Sequence, residues 1–273
     1  TLQCKQLNKI VGPETFNGSL LLLPKSCRLT EFTLEGISNI QGDFQCKDYS
    51  YVKEFVMPFI RVAGDMTIAL NSGSVNTAAE IEFPNMQEIG GTLTLGSNSN
   101  ANNIAFPSLK KILGSCSVTT TDLKNDIEFT NLESIGTDGA DEQIKFEIEA
   151  TNILCPKLKT INGKFDIATS SFMFGMEVDK VSYPNVESIS ENLSITCPYS
   201  DFGSNGILSI DFSGLKSVKG ISISGQGDVT DFSSFKYLFE NNVLTGESQW
   251  SVKECGYNPT FQEMKDGKYK LAE

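Results

Sequence analysis

Apolar residues recur along this chain at offsets 0, 2, 5, 8, 12 and 14 from a starting position. Ile81, Phe83, Met86, Ile89, Leu93 and Leu95 show the spacing most clearly. Ile104, Phe106, Leu109, Ile112, Cys116 and Val118 repeat it. So do Ile153, Cys155, Leu158, Ile161, Phe165 and Ile167, and Val181, Tyr183, Val186, Ile189, Leu193 and Ile195. Phe32, Leu34, Ile37, Ile40, Phe44 and Cys46 make a fifth complete set. Five less regular copies bring the count to ten, each starting about 20 to 30 residues after the last. One of these, Phe55, Met57 and Ile60, is a residue short before Met66 and Ile68. Another is interrupted by Thr137 to Gln143, and Phe232, Phe235 and Leu238 form the last. A period of this length predicts a stack of similar coils, each covering the apolar face of the next.

Inside a copy the alternation has period two. Ile81-Glu82-Phe83 and Leu93-Thr94-Leu95 read as short half-buried strands. Proline follows the second apolar slot at Pro84, Pro107, Pro156 and Pro184, where it ends a strand. Glycine stands at offset 10 in Gly12, Gly42, Gly91, Gly114, Gly163 and Gly220, a position read as a turn that exploits positive φ. The expected coil is strand, bend, glycine turn, strand and return loop, giving two parallel sheets. The fold class is thus all-β, a right-handed β-solenoid of about ten coils with a short helical cap. Phe261 to Leu271 and Phe235 to Asn241 are the helix candidates. The repeat solenoid is assigned to 1–238, with an atypical first coil over 1–31, and the cap to 239–273 of the same domain. Trp250 and Tyr257 fall in that cap.

Charge and cysteine usage narrow the chemistry. The 273 residues carry a net charge of −12 and no histidine. That balance disfavours nucleic acid and anionic lipid as partners. Without imidazole there is no serine–histidine–aspartate triad. Of seven cysteines, Cys4, Cys46, Cys116 and Cys155 occupy apolar slots, and Cys197 continues an apolar alternation. They read as small core residues. Cys27 and Cys255 lie outside the slots. No stretch is long and apolar enough to span a membrane as a helix.

The segments FPNMQEIGGTLTL (83–95), FPSLKKILGSCSV (106–118), CPKLKTINGKFDI (155–167) and YPNVESISENLSI (183–195) resemble the receptor L-domain branch of leucine-rich-repeat solenoids. The tail from Gly256 through Tyr269 is similar to the ends of envelope or secreted repeat proteins of Bacteroidetes. These resemblances imply an extracellular or cell-envelope location, with any membrane attachment made through a lipid anchor outside this chain.

Function is sought in departures from the repeat. Phe172, Met173, Phe174 and Met176 sit in a return loop, either tucked against the flank or exposed as a ligand patch. Asp138, Asp141 and Glu142 crowd one insertion and are candidate calcium ligands, although their spacing is not that of an EF-hand. No catalytic constellation is visible, and no cofactor is implied. The expectation is a non-catalytic surface or secreted solenoid that presents a rigid face to a protein or glycan. Two alternatives are a β-helical polysaccharide enzyme using a carboxylate pair, and a purely structural adhesin.

Overall fold

The computed structural model describes residues 9–22, 33–47, 54–69, 79–96, 101–119, 127–138, 145–148, 153–168, 180–197, 209–227 and 229–272. The chain is an all-β parallel β-solenoid with very little helix. Its turns number about six rather than ten. The less regular copies starting at Phe55 and Ile127 still build three strands each. The last copy, Phe232, Phe235 and Leu238, lies instead around a 3-10 turn, Ser233–Phe235, and α1, Lys236–Glu240.

Two compact units divide the chain: residues 1–135 with 152–156, and residues 136–151 with 157–273. In the first unit each coil contributes to three parallel walls rather than two. The first wall contains Glu54–Val56, Ala79–Glu82, Ala101–Ala105, Ile127–Glu128 and Ile153–Leu154. The second is built from two-residue strands such as Asn39–Ile40, Arg61–Val62, Glu88–Ile89 and Lys111–Ile112. The third contains Leu20–Leu22, Phe44–Lys47, Met66–Ala69, Leu93–Gly96 and Cys116–Thr119. Two residues are too few to show a period, which is why the second wall leaves no trace in the pattern.

The apolar slots form the core. Ile81, Phe83, Met86, Ile89, Leu93 and Leu95 are each 0% exposed. Equivalent slots stack along the coils. Phe83 and Phe106 stack with centroids 4.9 Å apart, and Phe106 and Phe129 at 5.3 Å. The prolines serve the turn after the first strand. Met86, Leu109 and Leu132 donate N–H to Phe83, Phe106 and Phe129 O at 3.2–3.3 Å. Pro84 and Pro107 thus take the second place of four-residue turns, where a fixed φ is favourable.

The offset-10 glycines have a different role from the expected one. None of Gly42, Gly91 and Gly114 has positive φ. They form a seam in which consecutive coils touch backbone to backbone. Gly42 donates to Gly18 O at 3.0 Å, Gly64 to Gly42 O at 3.0 Å, Gly91 to Gly64 O at 2.9 Å and Gly114 to Gly91 O at 3.0 Å. A side-chain ladder runs beside the seam. Ser19 Oγ accepts from Asp43 N–H at 2.9 Å, Asp43 Oδ1 from Asp65 N–H at 2.9 Å, and Asp65 Oδ1 from Thr92 N–H at 2.7 Å. Glycine is required there because the coils approach too closely for any Cβ.

Cys46, Cys116 and Cys155 are buried in the first unit. Burial pushes each thiol up from its ordinary value near 9.0, with Cys116 adding to the effect on Cys155. A raised folded-state value means the unfolded thiol ionises first. Stability supplied by these groups is therefore complete below pH 9.0 and lost as pH climbs toward the folded-state values. In native protein at neutral pH, iodoacetamide is expected to spare these three and to label half-buried Cys255 faster, as read by peptide mass spectrometry. Rapid native labelling of Cys116 would contradict the packing.

In the second unit the third wall runs through Lys145–Ile148, Lys164–Ala168, Asn192–Cys197, Gly220–Gly227 and Trp250–Cys255. The last strand had no alternating signature and is a finding of the structure. Trp250 anchors it at 5% exposure. Its indole N–H donates to Pro259 O at 2.8 Å, and Phe232, Phe235 and Phe239 meet it edge-on. The second helix, α2 (Phe261–Lys265), starts at a Thr260–Glu263 capping box. It stops before Gly267, whose φ is 79°, so it is shorter than the sequence suggested.

Candidate functional site

The clearest departure from the repeat within the described residues lies in the first unit, at the shortened copy. Complete copies place two residues, such as Pro84 and Asn85, between the second slot and the third. Here only Pro58 separates Met57 from the residue that fills the third slot. That residue is Phe59, at 0% exposure, and not Ile60, which is 38% exposed. Phe59 packs edge-on to Phe44 with centroids 4.9 Å apart. With one residue missing, the four-residue turn is not made. Ile60 keeps the bond that Gln87 and Lys110 make at the equivalent position, donating to Ser38 O at 2.7 Å.

The second and third walls absorb this change. Asn39–Ile40 still pairs with Arg61–Val62, and Phe44–Lys47 with Met66–Ala69. The first wall does not. Among the described residues Thr33–Glu35 pairs only with Lys9–Val11, in a separate two-stranded sheet, and Glu54–Val56 begins the five-stranded one. Elsewhere in the wall, the second-slot N–H bonds the next coil. Met57 donates to Glu82 O at 3.0 Å, Phe83 to Ala105 O at 3.0 Å, Phe106 to Glu128 O at 2.9 Å and Phe129 to Leu154 O at 2.9 Å. No ladder joins Leu34 to Val56 among the described residues.

A groove of about 390 Å³ occupies the break, lined by Thr33, Leu34, Glu54, Val56, Pro58, Pro84 and Asn85. The direction of its peptide groups follows from the bonds on either side. Gly12 donates to Glu35 O at 3.0 Å, so Glu35 faces the 9–11 strand. Successive residues of a strand point their N–H and C=O to opposite edges, so those of Leu34 face the groove. Met57 bonds toward Glu82, so the peptide groups of Val56 face the groove from the other side. Two strand edges thus confront each other without a ladder between them. Leaving such groups dry is costly, so they are served by water or by a ligand.

The rim is acidic. Glu54 stands beside Glu80 in the ladder, and Val56 beside Glu82. Among the described residues no ion pair engages Glu54 or Glu82. Glu35 is paired with Lys9. The outer face of the third wall differs: Gln45, Thr67, Thr94 and Ser117 stand in register there, with no formal charge among them.

Other expected sites fare unequally. Phe172, Met173, Phe174 and Met176 lie outside the described residues, as do Cys4, Cys27, Asp141 and Glu142. Cys197 is described only in its backbone, at the end of a third-wall strand. Asp138 is exposed and fixed by a hydrogen bond from Asn162 Nδ2 at 3.1 Å, and Asn162 also reaches Gly136 O at 3.3 Å. Among the described residues no three acidic or cysteine side chains converge as a metal site would require. The shortened copy was visible in the sequence, but the broken ladder was not. The chain matches no family model, no curated protein and no solved structure.

Proposed function

We propose that this protein is a non-catalytic cell-surface or secreted solenoid, of leucine-rich-repeat character related to receptor L domains, that presents a rigid surface to a protein or glycan. The observation that supports the reading most is the groove at 33–35 and 54–56. It is an open, partly unbonded site in a frame whose neighbouring walls are fully paired. A binding surface held by such a frame loses little conformational entropy on engagement. The registered hydroxyl and amide row of Gln45, Thr67, Thr94 and Ser117 offers a second, uncharged face suited to sugar hydroxyls.

The test is a screen of the full chain against an array of neutral and acidic glycans and an array of extracellular proteins. Reproducible ligands are expected, with saturable binding confirmed by calorimetry. Silence on both arrays would sink the display reading.

A further inference from the structure

We propose that the groove between Thr33–Glu35 and Glu54–Val56 takes an extended peptide segment carrying lysine or arginine, which adds itself as a strand to the broken first wall. This rests on the display reading above and names the ligand for one site. The first support is the backbone. Leu34 and Val56 turn their N–H and C=O groups into the groove from opposite sides, and no ladder joins their strands among the described residues. An extended chain supplies complementary donors and acceptors to both edges, as in strand addition to an exposed sheet. A glycan offers hydroxyls but no repeating N–H and C=O spaced at the strand period.

The second support is charge. Glu54 lines the groove, and Glu80 and Glu82 flank it in the adjacent strand. Side chains of an added strand alternate between the two faces of the sheet. Those on the outer face would stand beside these carboxylates, where cations are favoured and acidic residues repelled. Those on the inner face would approach the apolar interior near Leu34 and need to be small and apolar. The recognised pattern is therefore basic alternating with apolar.

The third support is the place of the opening. The groove borders the coil that lacks one residue between Met57 and Phe59. Restoring that residue should rebuild the turn and bring the two strands back into pairing distance, removing the site while leaving the core slots filled.

The probe is a fluorescein-labelled eight-residue peptide alternating lysine and valine, titrated into the full chain by fluorescence polarisation. Saturable binding is expected. N-methylation of the valine amides, one edge of the added strand, should weaken it by about tenfold or more, because those hydrogen bonds are lost. The double variant Glu54→Lys/Glu82→Lys should weaken it by about fivefold or more at low salt, and 0.5 M salt should shrink that difference. Insertion of Asn after Pro58 should abolish binding. If that variant melts early, the peptide and charge arms still decide. No binding, or binding indifferent to both N-methylation and charge reversal, overturns the proposal. So does binding of a neutral oligosaccharide that the Asn insertion abolishes while the peptide does not bind. If the peptide fails but the arrays yield a ligand elsewhere, only this inference falls. If both fail, the display reading falls too.

Discussion

Phe106→Ala is expected to destabilise the protein by about 3 to 5 kcal/mol, the range for deleting a buried phenylalanine. Phe106 is 0% exposed and stacks on Phe83 on one side and Phe129 on the other. Its removal leaves two neighbouring rings without a partner face, and the surrounding backbone is held by ladders that resist collapse into the void. In a repeat array each coil is supported mainly by its neighbours, so loss in one coil weakens the interfaces on both sides. The melting temperature should drop by about 6 to 20 °C, given about 2–4 °C per kcal/mol for a chain of this size class. Lys110→Ala, at an exposed position, should stay within about 0.5 kcal/mol of the parent. Thermal melts of the two variants check the contrast. Equal melting temperatures would contradict the stacked core.

Gly91→Ala carries the second large effect, through overpacking. A Cβ built at Gly91 sits 2.8 Å from Asp65 N and 2.8 Å from Gly64 C, and meets Asp65 Oδ1 closer still. Two of those three atoms are backbone, so no rotamer change relieves the contact. The coils must separate, which stretches the Gly91 to Gly64 bond and the Asp65 to Thr92 bond together. A cost of about 1 to 3 kcal/mol or more follows from forcing one carbon into a packed site. Gly96→Ala is the control, since its Cβ would meet only Thr119 Oγ1 at 3.3 Å. Denaturant unfolding should place Gly91→Ala well below Gly96→Ala. The reverse order would mean that the seam is not a close contact in solution.

Much of the fold was legible in the sequence because the slots obey a strict spacing. Every member of the copy from Ile81 to Leu95 is buried, as the alternation implied. The second wall was not legible, because Glu88–Ile89 and its equivalents are too short to show a period. The final strand, Trp250–Cys255, was missed for another reason. Its residues run from buried through exposed without clean alternation, and it pairs with Gly220–Gly227 across a register shift. The glycines were found at the right positions with the wrong cause, since spacing reveals where glycine recurs but not how near the next coil passes. Assigning Ile60 to a slot followed the standard offset, whereas packing selected Phe59 beside Phe44. The groove itself depends on a strand pairing that fails to form, and no residue type announces that.

The glycine seam also bears on where such an opening can arise. It fastens one corner of the coils from Gly18 to Gly114 by main-chain contact, with the Ser19, Asp43 and Asp65 ladder beside it. A change of one residue between the first and second strands is therefore not transmitted past that corner. It is expressed locally, as a gap in a single wall. Position along the stack is then a free variable: the address of the site is written in the length of one segment, and the same architecture can carry an opening at a different height without redesign of its core.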